Sequence, residues 1–99
     1  MSELDRLEYM LKKNNIPYER IDEENKMFPI LNRHQICVPS EKDREWDAIC
    51  HYGSYGYEEG LIEIYGDIVV AEDGDSVLGF LTAEDVIKRA LKWAERKEE

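Results

Sequence analysis

The chain has 99 residues, which is enough for a single domain over 1–99 with one hydrophobic core. Hydrophobic residues make up 42% of the chain and charged residues 36%, a balance that excludes a disordered protein. The 23 acidic and 13 basic residues give a formal net charge of −10. Because nucleic acids are bound through lysine and arginine, we expect no direct nucleic-acid partner.

The expected compartment follows from the cysteines and from the lack of long apolar runs. Cys37 and Cys50 are too few for a framework of disulfides. No apolar run approaches the ~20 residues that cross a bilayer, and the first residues lack the basic stretch of a signal peptide. We therefore expect a cytoplasmic protein with reduced thiols and no membrane partner.

Residues 2–14 have the periodicity of an amphipathic helix. Ser2 and Asp5 have the spacing of a capping box, and one helical face carries four apolar side chains: Leu4, Leu7, Met10 and Leu11. Residues 18–22 alternate and predict a short strand. Residues 27–31 are apolar but contain a proline, so we expect an irregular segment or an edge strand that covers the edge of the core.

Alternation of side chains predicts two paired strands in the middle of the chain. In residues 34–38, Ile36 and Val38 share one face, and residues 44–52 alternate over nine positions. A short polar link joins the two runs, which predicts an antiparallel hairpin. In the longer run Trp46, Ala48, Cys50 and Tyr52 share one face, and we expect the first three of them to meet the helices. The opposite face should carry Glu45, Asp47, Ile49 and His51.

Further strands and a second helix follow. Residues 61–65 predict a strand, and residues 68–71 and 77–78 predict two more around a tight turn at 72–76. Thr82 begins the last helix as its N-cap, and the broad apolar face of that helix is formed by Val86, Ile87, Ala90, Leu91, Trp93 and Ala94.

The order of these elements predicts an α+β fold. Local hairpins favour an antiparallel sheet of three to five short strands, with an N-terminal and a C-terminal amphipathic helix packed on one face. In the last helix we expect two stabilising pairs four residues apart, Glu84 with Lys88 and Asp85 with Arg89. We expect residues 95–99 to fray.

The loop between two predicted strands, residues 52–60, is rich in glycine and tyrosine. Tyrosine offers a large amphipathic contact at low entropic cost, and such loops are common at recognition surfaces. The alternative is that the rings fold back as lids over the core, with glycines at positive φ. The candidate partner-binding residues are Tyr52, Tyr55, Tyr57, Glu58 and Glu59.

Three sets of residues contain the residue types of a zinc site, a hydrolase triad or a phosphate loop, but they lack the spacing that such sites have. Four residues are of the kind that binds zinc: His34, Cys37, Cys50 and His51. Neighbours at odd spacing on a strand point to opposite faces, so these four are not expected to converge.

The second set resembles a hydrolase triad and the third a phosphate loop. Asp47 and His51 share a strand face but stand ~13 Å apart along it, too far to act with Ser54. The glycines at 53, 56 and 60 do not have the phosphate-loop pattern, and the adjacent Glu58 and Glu59 repel phosphate. We therefore expect no enzymatic activity and no cofactor.

Residues 46–64, followed by Gly-Phe-Leu-Thr-Ala-Glu-Asp-Val at 79–86, resemble a family of small acidic uncharacterised proteins encoded by phages and prophages of Gram-positive bacteria. The similarity covers the C-terminal half of the chain and, more loosely, the first helix. It implies a cytoplasmic, phage-associated protein. It implies no activity, because the family has no functional residues to transfer.

The leading hypothesis is a small non-enzymatic interaction protein that binds a host or phage protein, with a homodimer as an open alternative. A second hypothesis is an acidic DNA mimic that inhibits a nucleic-acid-binding defence enzyme, since carboxylates cluster at 22–24, 58–63, 72–75 and 84–85. A third is a small metal-binding protein.

Overall fold

The chain folds as a helix, a five-stranded sheet and a second helix in a computed structural model that describes residues 1–98. The strand order follows the chain and every neighbouring pair is antiparallel, so the predicted α+β fold is confirmed. The elements are α1 (Glu3–Lys13), β1 (Glu19–Glu23), β2 (Arg33–Val38), β3 (Trp46–Ile49), β4 (Ile62–Gly66), β5 (Val77–Leu81) and α2 (Ala83–Lys97).

Both helices begin at the capping boxes that the sequence predicts. The Ser2 hydroxyl accepts a hydrogen bond from the Asp5 amide at 3.1 Å, and the Asp5 carboxylate accepts one from the Ser2 amide at 3.2 Å. Thr82 and Asp85 repeat this arrangement at 3.2 and 3.0 Å. Each box pairs N–H groups that the start of a helix leaves without an intrahelical partner.

One face of the sheet carries the hydrophobic core, and both helices pack on it. Trp46 of β3 is 1% exposed and meets Trp93 of α2 edge to face, with the ring centroids 6.2 Å apart. The same buried cluster includes Leu4, Leu7, Leu11, Ile36, Val38, Ala48, Ile62, Ile64, Ile68, Val86 and Ala90.

The predicted orientation of β3 is confirmed, although the strand is shorter than expected. Trp46 and Ala48 are buried under the helices, and Cys50 is partly buried against the same core. The strand ends at Ile49 rather than at residue 52, because a turn begins at His51, whose amide donates to the Ser54 hydroxyl at 3.1 Å.

The opposite face of the sheet is polar, and part of it is covered by its own side chains. Gln35 is buried there and donates to Asp47 at 2.5 Å, while Arg33 donates to Gln35 at 2.7 Å. Burial raises the pKa of Asp47 above its ordinary value. Antiparallel register confirms four predicted members of this face, Asp47 opposite Tyr65 and Ile49 opposite Glu63, whereas His51 lies beyond the end of β3.

The salt bridges predicted within α2 are wrong. Glu84 pairs with Arg6 of α1 instead of Lys88, and Arg89 pairs with an aspartate before β5 instead of Asp85. A pair four residues apart on an exposed helix contributes only ~0.2–0.5 kcal/mol, so a partner from another element displaces it easily. The helix also continues to position 97, past the expected onset of fraying, and residue 99 lies outside the described residues.

The salt bridge between Arg89 and Asp73 connects α2 to the chain between β4 and β5. The two terminal nitrogens of Arg89 donate to the two carboxylate oxygens of Asp73, each at 2.8 Å, and one also donates to the Ile68 carbonyl at 3.0 Å. The arginine holds the pKa of Asp73 down at about 2.

Residues 68–71 do not form the predicted strand. Gly66 has φ 112° and turns the chain, and the Val69 amide donates back to the Gly66 carbonyl at 2.9 Å. Ile68 is buried by packing under α2 rather than by pairing in a sheet. The apolar run at 68–71 therefore belongs to a buried turn. Periodicity alone does not distinguish such a turn from a short strand.

Residues 27–31 do not cover the core. They form a loop with a short 3₁₀ turn at Pro29–Leu31, and their large apolar side chains face solvent. Asparagine side chains hold this loop: Asn25 accepts from the amides of Met27 and Phe28 at 3.1 and 2.8 Å, and Asn32 accepts from the Asn25 amide at 2.6 Å. Local hydrogen bonds thus replace the burial that the apolar residues suggested.

Replacing Trp46 by alanine should destabilise the protein by ~3–5 kcal/mol, because the ring is buried against Trp93. Trp46→Phe should cost much less, since it retains an aromatic contact and removes an indole N–H that has no hydrogen-bond partner. Thermal and urea unfolding measure both variants. Equal stability of Trp46→Ala and the wild type would show that this ring is not in the core.

The Asp73 salt bridge should make stability depend on pH between about 4 and 2. The folded-state pKa lies below the ordinary value of 3.8, so the charged carboxylate stabilises the fold above that value, and this contribution is lost as the pH falls to about 2. Asp73→Asn should therefore be less stable than the wild type at pH 6, and the difference should shrink as the pH falls through about 2. A difference that stays constant over this range would contradict the salt bridge.

Candidate functional site

The Gly/Tyr loop, residues 52–60, leaves β3 in a turn and returns to β4 through a short 3₁₀ turn. The Ser54 amide donates to the His51 carbonyl at 2.9 Å, and the Leu61 amide donates to the Gly56 carbonyl at 2.9 Å. Gly56 has φ 97° and Gly60 has φ 71°, a conformation that favours glycine. The glycines therefore shape this loop, as the sequence predicts.

Strand β5 fixes the position of the loop. The Phe80 amide donates to the Tyr55 carbonyl at 3.2 Å, and the Tyr55 amide donates to the Glu63 carboxylate at 2.8 Å. Tyr55 also lies directly against Gly79, where an added Cβ would stand 2.3 Å from the Tyr55 Cβ. A side chain at 79 would thus displace the loop, so the glycine permits this close approach.

Phe80 is a part of the site that the sequence analysis missed. Its φ is 59°, in the left-handed region that large side chains rarely occupy, at a cost of ~1–3 kcal/mol. The strained residue lies where the pairing of β4 with β5 shifts register between Ile62 and Ile64. The strain does not bury the ring, which is 58% exposed beside the Gly/Tyr loop.

The rings of the loop are exposed and form a shallow depression with Phe80. Tyr52, Tyr55 and Tyr57 are 55%, 62% and 41% exposed, so they are not lids over the core. Tyr52 and Tyr57 meet edge to face with centroids 6.2 Å apart. The depression has a volume of about 410 Å³, and Glu58 and Glu59 also line it. All five predicted contact residues are therefore together, although partner binding itself stays a prediction.

The apolar loop of residues 27–31 lies at the same end of the sheet. In an antiparallel meander the connections alternate between the two ends, so the β1–β2 and β3–β4 loops share one end. The two hairpins are separated by two strand spacings, about 10 Å. We call the two loops together with Phe80 the apolar end.

The exposed large hydrophobic side chains of residues 1–98 are concentrated at this end. Elsewhere they are Met1, Tyr9, Tyr65 and Leu91. At the apolar end they are Met27, Phe28, Ile30, Leu31, Tyr52, Tyr55, Tyr57 and Phe80. Single exposed apolar residues are ordinary, whereas a concentration of them marks a contact surface.

The four residues of the zinc type do not converge. His34 faces the helix side, where its ring nitrogens lie 2.8 Å from Asp22 and 3.0 Å from Glu24. Cys37 is fully buried on the other face of the same strand, and both cysteines are free. Within residues 1–98, no group of three or more His, Cys, Asp or Glu side chains is arranged to hold a metal ion.

Asp47, His51 and Ser54 do not form a catalytic relay. The His51 ring accepts a hydrogen bond from the His34 amide at 3.1 Å, and burial lowers the pKa of His51. The Ser54 hydroxyl donates to the His51 carbonyl at 2.7 Å, and Asp47 accepts from Gln35. Each group is therefore engaged in a structural hydrogen bond.

Comparison of the chain with protein-family models, curated proteins and solved structures finds no match. The resemblance to the phage-encoded family therefore stays a prediction. No helix within residues 1–98 is long and apolar enough to cross a membrane.

Glycine-to-alanine substitutions should separate close packing from backbone strain in the loop. In Gly56→Ala the new Cβ would stand 3.0 Å from Leu61 and Phe80 and would strain the backbone, so we expect a loss of about 2 kcal/mol or more. Gly53→Ala and Gly60→Ala meet no atom within 4 Å and should each cost about 1 kcal/mol from strain alone. Urea unfolding measures all three; equal losses would contradict the packing of Gly56 on β5.

Proposed function

We propose that the protein is a non-enzymatic interaction module and that its apolar end binds a partner protein. One observation carries the proposal: eight of the exposed large hydrophobic side chains lie on two loops and one bulge at the same end of the sheet. Tyrosine and phenylalanine are typical of the buried centres of protein interfaces.

The local structure supports binding through a preformed surface. Hydrogen bonds from backbone amides to the side chains of Asn25 and Asn32 order the first loop, and the second is fixed on β5 through Phe80. Side chains on ordered loops lose less conformational entropy when a partner binds. The strain at Phe80 is also a feature that clusters at functional positions.

The charges near the apolar end indicate the chemistry of the partner. Glu58 and Glu59 border the aromatic depression, and within residues 1–98 neither forms a salt bridge. The whole chain carries a net charge of −10. The complementary surface is an apolar cleft with a basic rim, because opposite potentials speed association and exclude wrong partners. A phage or host protein of this kind is the partner we propose.

The two other hypotheses have less support. Several carboxylates in the clusters that suggested DNA mimicry are paired with basic side chains: Asp22 with Arg20, Glu23 with Arg33, and Asp73 with Arg89. The four residues that suggested a metal-binding role do not converge, as described above. We therefore argue the protein-binding function.

Two substitutions at the apolar end and two elsewhere test this function. Phe28→Ser and Tyr55→Ser remove exposed rings from the two loops, and Tyr9→Ser and Tyr65→Ser remove equally exposed rings from α1 and β4. Each should change stability by less than ~0.5 kcal/mol. A protein captured from the natural host by the wild-type chain should bind at least one of the first pair about 30-fold more weakly, as expected when a contact worth ~2 kcal/mol is lost.

The control variants decide the interpretation. Tyr9→Ser and Tyr65→Ser should bind the captured protein as the wild type does. Sedimentation of the purified chain tests the homodimer. If the wild-type chain dimerises and Phe28→Ser or Tyr55→Ser abolishes the dimer, the partner is a second copy of the chain. Equal binding and self-association by all five proteins would contradict a contact role for the apolar end.

A further inference from the structure

A cavity of about 590 Å³ lies between α2 and the chain that connects β4 to β5, away from the Gly/Tyr loop. Its apolar lining, which we call the apolar floor, consists of Ile68, Val70 and Leu81. Ile68 is fully buried there. The volume is within the range of ~300–1,000 Å³ that is typical of pockets for small molecules.

Three basic side chains of α2 line the same cavity, and we call them the basic stripe: Lys88, Lys92 and Arg96. They follow one another at every fourth position, so they lie on one side of the helix and span about 12 Å along it. All three are exposed, and within residues 1–98 none forms a salt bridge.

The basic stripe is unexpected in a chain with a net charge of −10. Like charges four residues apart destabilise a helix, and acidic residues elsewhere in the chain greatly outnumber basic ones. A negatively charged ligand offsets this repulsion, whereas an empty cavity leaves it in place. The placement of these side chains thus favours an anion.

The other charged groups at the cavity leave the stripe available. Arg89 is neutralised by Asp73, and this salt bridge fixes one wall of the cavity against α2. The Asp85 carboxylate accepts from the Thr82 amide in the capping box. Glu72 is the remaining acid of the lining and is exposed.

We propose that this cavity binds a small organic anion with an apolar body. The basic stripe holds the carboxylate, phosphate or sulfonate group, and the apolar floor holds the body. Lysine supplies a mobile point charge for such a group, and the arginine can donate two parallel hydrogen bonds to it. The site is separate from the apolar end and independent of the function proposed for it.

The test uses anilinonaphthalene sulfonate as the anionic probe and phenylnaphthylamine as its uncharged analogue. Fluorescence titration gives their dissociation constants, and amide chemical shifts locate the bound probe. The sulfonate should shift amides of 68–70 and 88–96 and bind about tenfold more tightly than the amine. The double variant Lys88→Gln/Lys92→Gln should bind the sulfonate about tenfold more weakly. Lys12→Gln/Lys13→Gln, which removes two exposed lysines from α1, should bind it as the wild type does.

Stability provides a second readout that separates loss of binding from loss of folding. Because Lys88 and Lys92 are exposed and form no salt bridge within residues 1–98, Lys88→Gln/Lys92→Gln should melt close to the temperature of the wild type. Equal affinity of the two double variants, equal affinity for the sulfonate and the amine, or shifts confined to the apolar end would each overturn the proposal.

Discussion

The structure depends on the burial of one face of a five-stranded sheet under two helices. Trp46 and Trp93 meet at the centre of this interface, and aliphatic residues from both helices and β2 to β4 complete it. Capping boxes fix where each helix starts, and this places the apolar face of each helix over the sheet. The opposite face is left to polar side chains, of which Gln35 and Asp47 cover one another.

This core is complete without the two apolar loops. Folding therefore does not require apolar side chains at these exposed positions. The meander places the connections at 39–45 and 67–76, which expose no large hydrophobic side chain, at one end of the sheet and both apolar loops at the other. Hydrogen bonds to asparagine side chains and from the backbone of β5 order these loops. The protein thus holds apolar side chains in water by local bonding, and the partner surface that we propose accounts for that arrangement.

Much of the fold could be predicted because its determinants are local. Ser2 with Asp5, and Thr82 with Asp85, are three residues apart, and the alternation around Trp46 specifies which side of β3 meets the helices. The concentration of tyrosines also identified the loop at 52–60. Each of these signals lies within a few residues, so it can be read before the chain is folded.

The remaining features depend on contacts between distant residues. Phe80 has its unusual backbone next to Gly79, on which Tyr55 packs, and Arg89 pairs with Asp73 because the β4–β5 connection passes beside α2. The apolar run at 27–31 suggested burial because such runs usually lie in a core. The neighbouring sequence does not show that other residues already fill that core. The basic stripe is visible as a spacing in the sequence, but the cavity beside it is formed only by the folded chain.

Exposure of both loops of the apolar end in the monomer itself is the feature on which the proposed binding function rests. Solvent paramagnetic relaxation of side-chain NMR signals tests it directly, because a soluble paramagnetic agent relaxes only exposed groups. We expect strong relaxation for the methyl groups of Met27, Ile30 and Leu31 and for the rings of the Gly/Tyr loop, and weak relaxation for Ile36 and Ile62. Protection of the 27–31 methyl groups to the level of Ile36 in a monomeric sample would contradict it.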